Sequence, residues 1–123
     1  MKTYYNKKQE QIFVNRLESQ INDDKFEAIQ CDLGINCVNI IAKYLKISQI
    51  KTLILDKNPF GDDGIKKLCK IFSKMQLVTL SLVSVNITNK GGKELIHSIV
   101  GIPSLENINF SSPEGFNRNR INP

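Results

Sequence analysis

Two stretches of this chain repeat each other at a spacing of 27 residues. Ile50-Lys51-Thr52-Leu53-Ile54-Leu55 opens one copy and Leu77-Val78-Thr79-Leu80-Ser81-Leu82 opens the next. The match continues in step: Phe60 with Ile87, Gly64 with Gly91, Leu68 with Leu95, Phe72 with Ile99. A fixed period in the high twenties marks stacked strand–helix units, none of which buries its own apolar face without a neighbour. The expected fold is an α/β solenoid, with short parallel strands on a concave side and helices on a convex side.

The unit Ile50–Gln76 shows why. Leu53 and Leu55 are two apart and point to one face of a short strand, while Ile54 points to the other. Asn58 stands where the chain leaves the strand, and its short amide can hydrogen-bond the backbone of the turn. Pro59 helps to stop the strand. Gly61-Asp62-Asp63-Gly64 leads into a helix, with acidic residues near the N-terminus, where the helix dipole favours them. Ile65, Leu68, Ile71 and Phe72 form its apolar stripe. Lys66, Lys67, Lys70 and Lys74 fall on the solvent side.

Leu53, Leu55, Asn58, Phe60, Gly64 and Leu68 together resemble the leucine-rich repeat of the longer, ribonuclease-inhibitor-like class. In the next unit Val85 stands in place of the turn asparagine, and Val85-Asn86-Ile87-Thr88 followed by Gly91 resembles the alternate repeat type of that class. An earlier, degenerate unit puts Phe26 on Leu53, Ala28 on Leu55, Cys31 on Asn58, Leu33 on Phe60, Ile41 on Leu68 and Leu45 on Phe72. Cys31 is a common substitute at the asparagine position of such repeats, whereas Cys37 in place of Gly64 departs from the pattern. A further strand opens with Leu105-Glu106-Asn107-Ile108-Asn109-Phe110, and after an insertion Asn119 and Ile121 resemble the turn asparagine and its apolar partner. The resemblance implies units at 23–49, 50–76 and 77–104 and an incomplete unit at 105–123, a short or N-terminal segment of such an array. Residues 1–22 stand outside it. Ile12, Phe13, Leu17 and Ile21 give that stretch a helical apolar spacing, which fits an N-terminal capping helix that shields the first unit. A partner-binding amphipathic helix is the sharper alternative.

At 123 residues the chain is one domain at most. Its 17 basic and 12 acidic residues give a net charge of +5, which permits an anionic partner without demanding one. Three cysteines, Cys31, Cys37 and Cys69, form no disulfide pattern and argue for a reducing compartment. The N-terminus lacks the apolar core of a signal peptide, and no apolar run reaches the roughly 18 residues that span a bilayer. The expected location is cytoplasmic, with nuclear or cytoskeletal sites as alternatives and no membrane partner. The sequons at Asn86 and Asn109 are then chance matches.

No constellation points to chemistry. Cys31, Cys37, Cys69 and His97 lack the paired spacing of a zinc site, and two of the cysteines fall on structural positions of the repeat. His97 matches Lys70 and Lys43 in register, a solvent position without a nucleophile motif beside it. Gly61–Lys67 lacks the phosphate-loop spacing, and its two aspartates would repel phosphate. The chain is expected to be no enzyme, with no cofactor and no metal. Lys43, Lys46, Lys66, Lys67, Lys70, Lys74 and Lys93 read as a solvated basic helix face.

What remains is a surface. Strand residues that point away from the core are Lys51, Thr52, Ile54 and Asp56, then Thr79, Ser81 and Val83, then Glu106, Asn107 and Asn109. Stacking sets them side by side on the concave face, which solenoids use for binding. The expected function is non-catalytic protein–protein interaction, as a scaffold or adaptor subunit of a larger assembly. Two alternatives come from other classes: regulation of a small GTPase or another enzyme, which the resemblance admits, and association with RNA or a ribonucleoprotein, which the charge admits. The strand at 105–110 lacks a following helix and strand, so its edge is expected to be covered by another chain, a second copy or further repeats.

Overall fold

A computed structural model describes residues 7–20, 23–31, 33–46 and 49–110. In chain order these form α1 (Lys7–Gln20), β1 (Lys25–Glu27), a 3-10 turn (Ile35–Cys37), α2 (Val38–Lys46), β2 (Thr52–Ile54), α3 (Gly61–Phe72), β3 (Thr79–Ser81), α4 (Asn89–Val100) and β4 (Asn107–Asn109). The segment 111–123, with Asn119 and Ile121, lies outside the described residues, as do Ile21 and the side chain of Lys46.

The chain is α/β, built on a four-stranded parallel sheet of order β1-β2-β3-β4. Lys25, Thr52, Thr79 and Asn107 lie in line across it, as do Phe26, Leu53, Leu80 and Ile108, so each strand enters 27, 27 and then 28 residues after the last. A sheet that grows in one direction through connections of one hand places its crossover helices on one face. α2 packs on α3, and α3 on α4.

The backbone repeats as faithfully as the sequence. The carbonyls of Asp24, Lys51 and Val78 each accept two amides from the next strand: Lys51 and Thr52, Val78 and Thr79, Glu106 and Asn107. The amides of Ala28, Leu55 and Leu82 each donate forward, to the carbonyls of Ile54, Ser81 and Asn109. Just past each strand the chain turns through a left-handed residue, Gln30, Lys57 and Ser84, with φ of 53°, 60° and 54°. Non-glycine residues visit this region rarely, so its recurrence at one register position marks a turn imposed by stacking.

Phe26, Leu53, Leu55, Leu80 and Leu82 from the strand segments meet Ile41, Leu45, Ile65, Leu68, Phe72 and Leu95 from the helices, all fully buried, in one continuous core. α1 closes the β1 end with Phe13 and Leu17, and Phe13 meets Phe26 edge to face at 6.2 Å.

The structure departs from the sequence reading, or sharpens it, at several positions on the helices and turns. Ile12 is 61% exposed, because it stands one residue off the Phe13–Leu17 stripe, about 100° around the helix. On α3, Cys69 is buried while Ile71 is only half-buried: Cys69 lies about 40° beyond Ile65 on one side of the Ile65–Leu68–Phe72 stripe, and Ile71 about 60° beyond Leu68 on the other. The glycine-flanked stretch before α3 is its first turn, entered through Gly61 at a φ of 73° that only glycine adopts without strain. Cys37, at the register position of Gly64, closes the 3-10 turn, and its thiol donates to the Gly34 carbonyl at 2.9 Å.

Candidate interaction surface

Each strand of three residues turns its middle side chain toward the helices and its outer two toward the opposite face. That opposite face carries three aligned rows. The first is Lys25, Thr52, Thr79 and Asn107, and the second is Glu27, Ile54, Ser81 and Asn109. Beyond the strand ends, Ile29, Asp56 and Val83 continue the same 27-residue step.

Glu106, Asn107 and Asn109 are exposed on β4 and its approach, and Lys51 is exposed ahead of β2. Thr52, Ile54, Thr79 and Val83 are half-buried, within reach of a partner. Asn107 Nδ2 donates to Thr79 Oγ1 at 3.3 Å, which ties two of these positions together. Ser81 must be corrected: it is 9% exposed, and its hydroxyl donates to Asp56 Oδ1 at 2.7 Å. The same oxygen accepts the Val83 amide at 2.9 Å, so Asp56 fixes the neighbouring turn as well as facing outward. Ser81 is spent on that contact.

Three residues of β1 and its turn belong to the surface and were absent from the sequence reading. Lys25 and Glu27 form an exposed ion pair at 3.4 Å, and Ile29 is an exposed apolar residue beside them. Counting back 27 from Thr52, Ile54 and Asp56 finds all three. The degenerate first unit hid that signal.

Below this face, two side chains lock the turns. Asn58 is fully buried and reaches back into the preceding turn. Its Oδ1 accepts the amides of Cys31 and Leu33, and its Nδ2 donates to the carbonyls of Ala28, Leu55 and Asp56. Cys31 has no such reach; its thiol takes the Arg16 guanidinium at 3.2 Å and donates to the Ile29 carbonyl. Asp62, in the first turn of α3, reaches forward to the start of α4. It accepts the Thr88 amide at 2.8 Å, the Thr88 hydroxyl at 2.6 Å and the Gly91 amide at 3.1 Å. Burial works to raise its carboxyl, but the bonds from Thr88 and Gly91 and the charge of Lys90 outweigh it, and the net shift is downward. A Cβ at Gly91 would collide with Asp62 Oδ1, so the glycine is required by this close approach.

On the helix side, His97 lines an open depression of about 340 Å³ with Lys66, Cys69, Lys70, Ser73 and Glu94. Burial pushes the Cys69 thiol up to about 11, against a lowering from Ser98, so it stays protonated at neutral pH. Among the described residues no three of His, Cys, Asp and Glu gather around a point where an ion would sit, and no helix is long and apolar enough to cross a membrane.

No family model matches this chain. Over 78 residues it is 33% identical to NACHT, LRR and PYD domains-containing protein 7 from Homo sapiens. That match covers 62% of this chain, and the chain spans 8% of the length of that protein. The similarity is thus to a short stretch of a protein whose name records leucine-rich repeats, and it is a distant one.

Proposed function

We propose that the chain is a short run of leucine-rich repeats of the ribonuclease-inhibitor-like class, stacked as a solenoid, which binds a protein partner through its open sheet face. In this reading α1 is the cap, units follow near residues 23–49, 50–76 and 77–104, and an incomplete unit covers 105–123. It acts without catalysis or cofactor, as a scaffold or adaptor in the cytoplasm. One observation carries the reading. The sheet face away from the helices presents Thr52, Ile54, Thr79, Asn107 and Asn109 in aligned rows, uncharged and set on paired strands. A preordered face of this kind binds without first ordering a loop. The similarity to a protein that carries leucine-rich repeats supports the same reading.

The exposed lysines of α3, Lys66, Lys67 and Lys70, with Lys74 just beyond it, favour a second reading: an anionic partner such as RNA on the helix side. One experiment separates the two. The intact chain, a sheet-face variant (Thr79→Arg with Asn107→Arg) and a helix-face variant (Lys66→Glu with Lys70→Glu) are used to capture binders from the native source. A protein held by the intact chain and the helix-face variant, and lost by the sheet-face variant, is the expected result. Binders lost only by the helix-face variant overturn the sheet-face reading, and nucleic acid among them establishes the second.

A further inference from the structure

The two ends of the sheet are finished differently. At the β1 end, α1 lays Phe13 and Leu17 over the core and turns polar Gln11, Asn15 and Arg16 outward, with Gln11 donating to Asn15 at 2.9 Å. At the β4 end, five positions that are buried in the preceding unit are left partly open, while Leu95 and Ile102 stay buried. Leu77 and Leu80 are fully buried, while their register partners Leu105 and Ile108 are half-buried. Leu82 is fully buried and Phe110 half-buried; Phe72 is fully buried and Ile99 half-buried. Cys69, covered by α4, is 6% exposed, and its counterpart on α4, Ile96, is 46% exposed. Five positions therefore change in the same sense, on the side where the preceding unit meets the next strand and helix.

We infer that the β4–α4 end face is a docking surface for one further strand–helix unit, parallel to β4 and in the same 27–28-residue register. The repeat of the chain itself argues for this occupant. β4 continues the register of β1, β2 and β3, and Glu106 is the next carbonyl in the series Asp24, Lys51, Val78, each of which accepts two amides from the succeeding strand. The incoming strand needs apolar residues two apart to complete the layer of Ile108 and Phe110, and the incoming helix needs an apolar face to cover Ile96 and Ile99. A second copy stacked head to tail would present the outer side of α1, polar apart from Ile12, to these apolar positions and would bring no strand to pair with β4, which is a poor match. This surface is distinct from the sheet face, so loss of one reading leaves the other standing.

The test adds such a unit. A second copy of residues 83–110 is inserted directly after Phe110 in the full chain, which keeps the register, and a scrambled insert of the same composition is the control. Hydrogen exchange is read at β4, together with the thermal midpoint and the mass in solution. The expected result is a monomer with a raised midpoint, in which the Asn107–Asn109 amides exchange at least about tenfold more slowly than in the control, as added cover makes local opening of the edge strand more costly. Ile96→Glu is expected to leave the midpoint of the natural chain unchanged and to cancel the gain of the extended one. Equal exchange in extended and control chains overturns the inference. So does a natural chain whose β4 amides are already as protected as those of β3: as a monomer it would show that residues 111–123 cover the face, and as a dimer, that a second copy does.

Discussion

Asn58 ties two successive turns of this fold together. Its amide makes five hydrogen bonds from a site of zero exposure, two of them to amides and one to a carbonyl of the preceding turn. The sequence placed an asparagine at the strand exit, but its spacing suggested bonds to its own turn only; the reach to Ala28, Cys31 and Leu33 is a product of stacking. Asn58→Ala would strand those groups, and each buried unsatisfied group costs about 1–3 kcal/mol. The expected loss in chemical denaturation is about 3 kcal/mol or more. Asn58→Asp is the sharper variant. It keeps the acceptor for the Cys31 and Leu33 amides but sets a carboxylate against three carbonyl oxygens, so it is expected to be at least as damaging at neutral pH and to recover partly when the carboxyl is protonated. Equal stability of wild type and Asn58→Ala would show that the turns hold without it.

Among the elements, α4 is started by its neighbour. Thr88 caps it with a hydroxyl that accepts from the Lys90 amide, and Asp62 of α3 satisfies the Thr88 and Gly91 amides that the helix leaves over. Because the carboxyl of Asp62 lies below its ordinary value of 3.8, its contribution is present above that pH and fades as pH falls through the lowered folded value. The stability difference between wild type and Asp62→Ala is therefore expected to be constant near neutrality and to shrink in acid below about pH 4. A difference that stays constant down to about pH 2 would mean that charge plays no part in the cap. Much at this scale was legible: the Leu-x-Leu pairs gave β2 and β3, and the apolar stripe gave α3. The burial of Ser81, the reach of Asp62 and the left-handed turns at Gln30, Lys57 and Ser84 were not. Each depends on a partner in the neighbouring unit, and sequence spacing reports faces, not hydrogen bonds.

For the whole molecule, the register gave the order and direction of the strands, because a unit that cannot bury its own face must lie beside the next. It also gave positions along the open sheet face, except where the degenerate first unit hid Lys25, Glu27 and Ile29 and where Ser81 is buried against Asp56. Stacking in one direction sets up a gradient of burial along the sheet. Phe26, Leu53 and Leu80 are fully buried at one register position and Ile108 is not. Core truncation removes transfer free energy and leaves a cavity whose cost depends on how tightly the site is enclosed. Leu80→Ala is therefore expected to cost about 2–5 kcal/mol, the range for an enclosed leucine. Ile108→Ala, at the partly open end, is expected to cost less than Leu80→Ala, since water already reaches the site and less buried surface is lost. Denaturant midpoints of the two variants against the natural chain measure the difference. An unchanged midpoint for Leu80→Ala would reject the packing of β3, and equal losses at both positions would mean that the β4 end is as enclosed in solution as the centre of the sheet.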